Sequence, residues 1–212
     1  MNNIFLKIAL GLSFTVAAFT ANAQKNYTEG VINYTVTTGA GDVDYKVAFR
    51  GDSTATTFQG GPATIKLITT TKHTYFAVAV DVPIASMKKA AVLTPDELDQ
   101  AAEQTPKLTF NPTTETKQIN GYNCKKVTGK DTKSGAEFEL WITNDVSAPG
   151  NTLTSNLAAA GGFPVKFSTS VQGQKSDVVL KSIVEQKIPA GTFSIGKDYD
   201  KITYEELMAM RQ

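Results

Sequence analysis

The 212-residue chain is short of the residues that carry most catalytic and metal chemistry: it has one cysteine, one histidine and one tryptophan. A lone Cys124 closes no internal disulfide, so core packing must hold the fold, which a chain of this length can supply. Its place within a strand pattern reads as a buried apolar thiol. With His73 alone, a multi-histidine metal site is excluded. A Ser-His-Asp triad would have to use this residue, whose Lys-His-Thr setting reads as a turn, and no Gly-x-Ser-x-Gly elbow is present. No phosphate-binding glycine loop, zinc spacing or calcium loop occurs. An excess of one charge is also missing. The 21 Lys and Arg meet 20 Asp and Glu, which gives no electrostatic basis for binding nucleic acid or an anionic membrane surface. Charged residues make up 19% of the chain and hydrophobic ones 41%, a globular balance with a surface left largely to Thr, Ser, Asn and Gln.

Long apolar runs are confined to the start. Lys7 precedes the run Ile8 to Phe19, and Ala21-Asn22-Ala23 fits the small-x-small cleavage rule, so residues 1–23 read as a secretory signal peptide. The run is short for a membrane span. Cleavage before Gln24 leaves 189 residues with 20 basic and 20 acidic side chains. With no cysteine near that site, a lipoprotein anchor is not expected. The mature protein is expected in the periplasm or outside the cell, with no transmembrane segment and as a monomer.

What is present is alternation. From Ile119 to Asp145 the chain reads as a hairpin. Asn120-Gly121 supplies a turn tolerant of positive φ, Lys130 to Gly135 a polar connection, and Phe138, Leu140 and Ile142 alternate against Glu137, Glu139 and Thr143, the pattern of a strand with one buried face. Glu29–Thr38, Val43–Arg50, Ser53–Phe58, Ala63–Thr70 and Thr74–Val80 read the same way. Glycine-rich turns every ten residues or so separate them, which predicts an antiparallel meander. Ala85 to Ala91 reads as a short helical turn. Thr94-Pro95-Asp96-Glu97 is a helix start with Thr94 as N-cap, followed by a thin stripe of Leu98, Ala101 and Ala102. After Leu108–Thr116 and the central hairpin, Leu153 and Leu157 stand at helical spacing before Gly161-Gly162. Pro164–Val171 and Asp177–Ile188 are strands, Phe193 and Ile195 a short edge, and Tyr204–Met210 a terminal helix. No linker or repeat divides residues 24–212, which form one domain.

Several of these stretches carry a family resemblance: Ile119-x-Gly121-Tyr122-x-Cys124-Lys125, the Glu139-Leu140-Trp141 strand, Gly162-x-Pro164-Val165, and Pro189-x-x-x-Phe193-x-Ile195 with Tyr199. Over most of the mature chain the sequence resembles the exported DUF4412 family of Bacteroidota, related to the LolA/LolB lipoprotein-carrier superfamily. Gly196 departs from it, standing in a turn where related sequences often have proline. The resemblance implies a mainly β (α+β), LolA-like fold. This is a strongly curved antiparallel sheet or incomplete β-barrel, with two or three short helices on its concave side and, in the carriers, acyl chains held there.

Paired carboxylates occur at Glu137/Glu139, Asp96/Glu97/Asp99 and Glu205/Glu206. The first pair lies opposite Phe138 and Leu140 on a solvated face, and the helix-start acids meet the helix dipole. None marks a cleft of the kind a glycosidase needs, so no enzyme, metal or cofactor is expected. The remaining candidate is the apolar stripe set Tyr45, Val47, Phe49, Phe76, Val78, Phe138, Leu140, Ile142, Val165 and Phe167, expected on one side of the sheet. It is either plain core filled by the Leu98 and Leu157 helices or the lining of a cavity for a lipid or other hydrophobic ligand. These readings correspond to an envelope structural or protein-interaction module and to a hydrophobic-ligand-binding module.

Overall fold

A computed structural model describes residues 24–171 and 174–210; the expected signal peptide lies outside the described residues. In chain order the elements are β1 (Lys25–Asn26), β2 (Glu29–Thr38), β3 (Gly41–Arg50), β4 (Ser53–Gly60), β5 (Ala63–Thr70), β6 (Phe76–Val82), β7 (Met87–Val92), α1 (Pro95–Gln104), β8 (Leu108–Ile119), β9 (Tyr122–Asp131), β10 (Glu137–Thr143) and β11 (Val146–Ser147). A 3₁₀ helix, Ser155–Ala160, precedes β12 (Phe163–Val171), β13 (Gln174–Glu185), β14 (Asp200–Lys201) and α2 (Tyr204–Ala209). Twelve strands form one sheet in the order β14-β7-β6-β5-β4-β3-β2-β13-β12-β10-β9-β8. It is antiparallel except where β14 runs parallel to β7. β14 and β8 do not pair with each other, so the sheet is open rather than a closed barrel.

Cross-strand register places the apolar alternation of successive strands on one face. Ile32, Val47, Thr56, Leu67, Val78 and Ala91 are paired in turn across β2 to β7. Val127, Leu140, Phe167, Val178, Val36 and Val43 continue the same face across β9, β10, β12, β13, β2 and β3. Residues directly opposite each other in a sheet share a face, so these rows form the inner wall. Asn120 and Gly121 turn β8 into β9 with φ of 48° and 84°, the paired positive values of a tight hairpin.

The sheet curls around the segment that follows β11. Thr152 Oγ1 lies 2.9 Å from Thr56 Oγ1 on β4, while the Ser155–Ala160 helix contacts β8. In a flat sheet β4 and β8, seven strand spacings apart, would be separated by roughly 34 Å. Residues 152–160, wound in turns and 3₁₀ helix, span only about 16 Å. One short plug can touch both strands only if the sheet wraps it. Leu157 and Ala160 are the buried side chains of this helix.

The C-terminal segment covers the other half from both sides. Phe193 and Ile195 pack on Ala55, Ile68 and Ala77 of the outer face. The chain then pairs along β7 as β14, and α2 seats Leu207 against Val78 and Ala91 of the inner face.

Three sequence expectations change. Ala85–Ala91 is not a helical turn: only Pro83–Ala85 is 3₁₀, and Met87–Val92 is a strand. Ala90 and Ala91, both buried, gain cross-strand partners in β6 and packing on both sheet faces, which outweighs alanine's helical preference. Phe193 lies in a turn and Ile195 in irregular backbone, so neither belongs to an edge strand. The α1 helix starts as expected, with a Thr94–Glu97 capping box, but buries no residue, so Leu98 fills no core.

Candidate functional site: an apolar cavity between the sheet and its plug

The central hairpin positions one wall. Phe138 at the start of β10 is the cross-strand partner of Gly129, and its ring meets Phe110 of β8 edge-on, with centroids 6.2 Å apart and planes at 89°. Phe167 of β12 forms the floor, and Leu153 and Leu157 of the plug face it. With Pro106 and Leu108 these side chains line a cavity of ≈ 720 Å³.

A buried polar cluster fixes the plug. Asn151 is 1% exposed. Its Oδ1 accepts from the Leu153 N–H at 3.0 Å, its own N–H donates to Thr154 Oγ1 at 3.2 Å, and its Nδ2 donates to the Tyr34 hydroxyl at 3.5 Å. Burial pushes the Tyr34 phenol well above its ordinary pKa, so it stays a neutral partner.

The carboxylates around the cavity are occupied by the fold. Asp131 accepts from Ser134 Oγ at 2.7 Å and from the Lys133 N–H at 2.9 Å, and the Ser134 hydroxyl chiefly holds its carboxyl below the usual range. Glu137 pairs with Lys130 at 3.5 Å, and Glu139 with Lys126 at 2.7 Å. Ser168 Oγ donates to Asp177 at 2.6 Å. Among the described residues no group of three His, Cys, Asp or Glu side chains is placed to hold a metal. His73 is exposed in a turn with φ of 54°. Cys124 is 2% exposed, and burial pushes its thiol up to about 11.

The ten candidate residues divide into three groups. Phe138 and Phe167 line the cavity. Tyr45, Val47, Phe49, Leu140, Ile142 and Val165 lie in the solid core beside it. Phe76 and Val78 pack in the cluster under α2. The sequence reading missed Pro106, Leu108, Asn156 and Lys175 as lining residues. Leu153 and Leu157 were visible as a helical stripe, but nothing in their spacing shows that they bound a cavity.

A profile of the domain of unknown function DUF4412 matches residues 28–199. The chain belongs to the DUF4412 family. A search of curated proteins found no match. Among solved structures, this DUF4412 chain is similar to PNGF-II in its C2 crystal form, at 19% identity and a TM-score of 0.49 over 85% of this chain. It spans about a third of that protein's length, 32%. LprF from Mycobacterium bovis is similar at 16% identity and a TM-score of 0.35, over 76% of this chain and 89% of LprF. At such low scores, the architecture of the DUF4412 chain rests on its own geometry. No helix among the described residues is long and apolar enough to cross a membrane.

Proposed function

We propose that this DUF4412 protein is an exported, non-enzymatic binding module that holds a hydrophobic ligand between the curled sheet and its plug. The observation that carries this reading is the ≈ 720 Å³ cavity floored by Leu108, Phe138, Leu153, Leu157 and Phe167. Its size lies within the usual range of small-molecule sites, and half of its lining residues are apolar, the rest polar or charged. The leader-like residues 1–23 and the resemblance to lipoprotein carriers support export and an apolar cargo. Binding is preferred to catalysis because Asp131, Glu137 and Glu139 are each engaged in structural contacts.

Native mass spectrometry of the mature protein, purified from its own cell envelope, tests this directly. The expected result is a bound apolar mass that is released on denaturation and lost in a folded Phe138→Asp variant. A protein that stays empty and also fails to take up a fluorescent alkyl probe in vitro would overturn it. The burial of six candidate residues in solid core favours a second reading for the rest of the inner face, a dry interior serving an envelope interaction module. Reproducible capture of one envelope protein, with no small-molecule mass, would select that reading.

A further inference from the structure

We infer that the turn between β6 and β7 is a docking tip that sets the mouth of the cavity against a zwitterionic lipid bilayer. This rests on the binding function proposed above. Val82-Pro83-Ile84-Ala85-Ser86-Met87 holds no charge, and five of its six residues are apolar. Pro83, Ile84 and Ala85 form a 3₁₀ turn without a buried residue, closed by the Ser86 N–H donating to the Pro83 carbonyl at 3.0 Å. Ile84 is 85% exposed, against 43%, 44% and 48% for Val92, Val184 and Met210, the other exposed large hydrophobic side chains among the described residues. A single exposed isoleucine is ordinary. Here strand register gives it a particular place.

From β7 across the sheet to β8 every neighbouring pair is antiparallel. The β2–β3, β4–β5 and β6–β7 turns therefore lie at one end, together with the β9–β10 connection and the start of β8. Leu108, Asp131, Ala136 and Glu137 line the cavity at that same end, so tip and mouth share one rim of the curled sheet. The neighbouring turns Gly39-Ala40 and Gly61-Pro62 are uncharged too, whereas the opposite end turns through Asp52 and through Lys72-His73. Asp81 and Lys88, which bracket the tip, pair at 3.5 Å, and Lys88 also meets Asp198 at 2.7 Å. Charge on this rim, on the β9–β10 connection and at Lys197-Asp198, lies off the tip, where headgroups and water solvate it. Three successive uncharged turns, one of them led by isoleucine, suit a bilayer interface, where desolvating a charge is costly and burying an apolar side chain is favourable. Docking by the tip brings the mouth to the lipid, and an apolar ligand then passes with less exposure to water.

Tryptophan variants of the mature protein, mixed with phosphatidylcholine vesicles carrying brominated acyl chains, test the inference. Emission of Ile84→Trp is expected to be quenched and that of Lys72→Trp, at the opposite end, to persist; the native Trp141 is common to both. Ile84→Asp should lower vesicle partitioning about tenfold, the loss that goes with leaving one isoleucine side chain unburied. Added salt should leave the partitioning unchanged, because no ion pair to the lipid is involved. A fluorescent alkyl probe should bind Ile84→Asp as tightly as the parent, yet pass from it to vesicles more slowly. Absent quenching of Ile84→Trp, equal quenching of both variants, or partitioning that Ile84→Asp leaves intact overturns the docking tip and leaves the proposed binding function standing. Self-association that is lost in Ile84→Asp, without vesicle binding, assigns the tip to a second copy and overturns it as well. Failure of the probe to bind the folded parent overturns the binding function, and the quenching alone then decides the docking.

Discussion

The ring of Phe138 occupies the space that a β-carbon on Gly129 would need. The two residues are directly paired between β9 and β10, and a side chain at Gly129 would collide with the Phe138 ring. The glycine thus sets where the cavity wall stands. Gly129→Ala is expected to displace the ring from Phe110 and destabilise the fold by about 1–3 kcal/mol, the usual cost of overpacking. Denaturant unfolding measures the loss. A probe titration on the same variant should show weaker binding, because the displaced ring enters the cavity.

Tyr34 and Asn151 tie the plug to the inner wall. Tyr34→Phe removes the acceptor of the Asn151 amide inside the core, and leaving such a group unpaired costs about 1–3 kcal/mol. Asn151→Ala should cost at least as much, because the Leu153 N–H then also loses its acceptor. Hydrogen exchange should show faster opening of residues 151–160 in both variants than in the parent.

The alkaline limb of stability should report two buried acids. Cys124 is raised from an ordinary 9.0 to about 11 in the folded state, and Tyr34 is raised as well. Both favour the protonated form in the fold. Their stabilising effect is complete below the unfolded pKa values and is lost as pH rises through the folded ones. Stability is therefore expected to fall from about pH 9 upward, and Cys124→Ala should flatten part of that fall. A thiol reagent at pH 8 should leave the native Cys124 largely unmodified and react quickly after unfolding.

Leu207 seats α2 on Val78 and Ala91. Leu207→Ala is expected to destabilise by roughly 2–5 kcal/mol, as other large-to-small core changes do. Increased hydrogen exchange should be concentrated in β7, β14 and α2. Probe affinity should stay at the parent value while the protein is folded, since no cavity-lining residue contributes to that cluster. Loss of binding in the folded variant would show that the two halves of the sheet are coupled.

The sequence alone determined the strands with one wet face and the tight turns between them. Glu29–Thr38 and Ala63–Thr70 match the structure end to end. Alternation and turn chemistry act over neighbouring residues, so a local reading can find them. The α1 start was legible for the same reason, as Thr94 and Glu97 cap each other across one turn. Tertiary contacts decided the rest. Met87–Val92 became a strand because neighbouring β6 pairs with its alanines and the sequence-distant α2 packs on Ala91. The ten stripe residues do share a face, yet only Phe138 and Phe167 reach the cavity, because the plug and α2 cover the others. Where a 3₁₀ plug crosses a curled sheet depends on contacts such as Thr56 to Thr152, 96 residues apart. Periodicity states which side a residue takes; what covers that side is set by long-range packing.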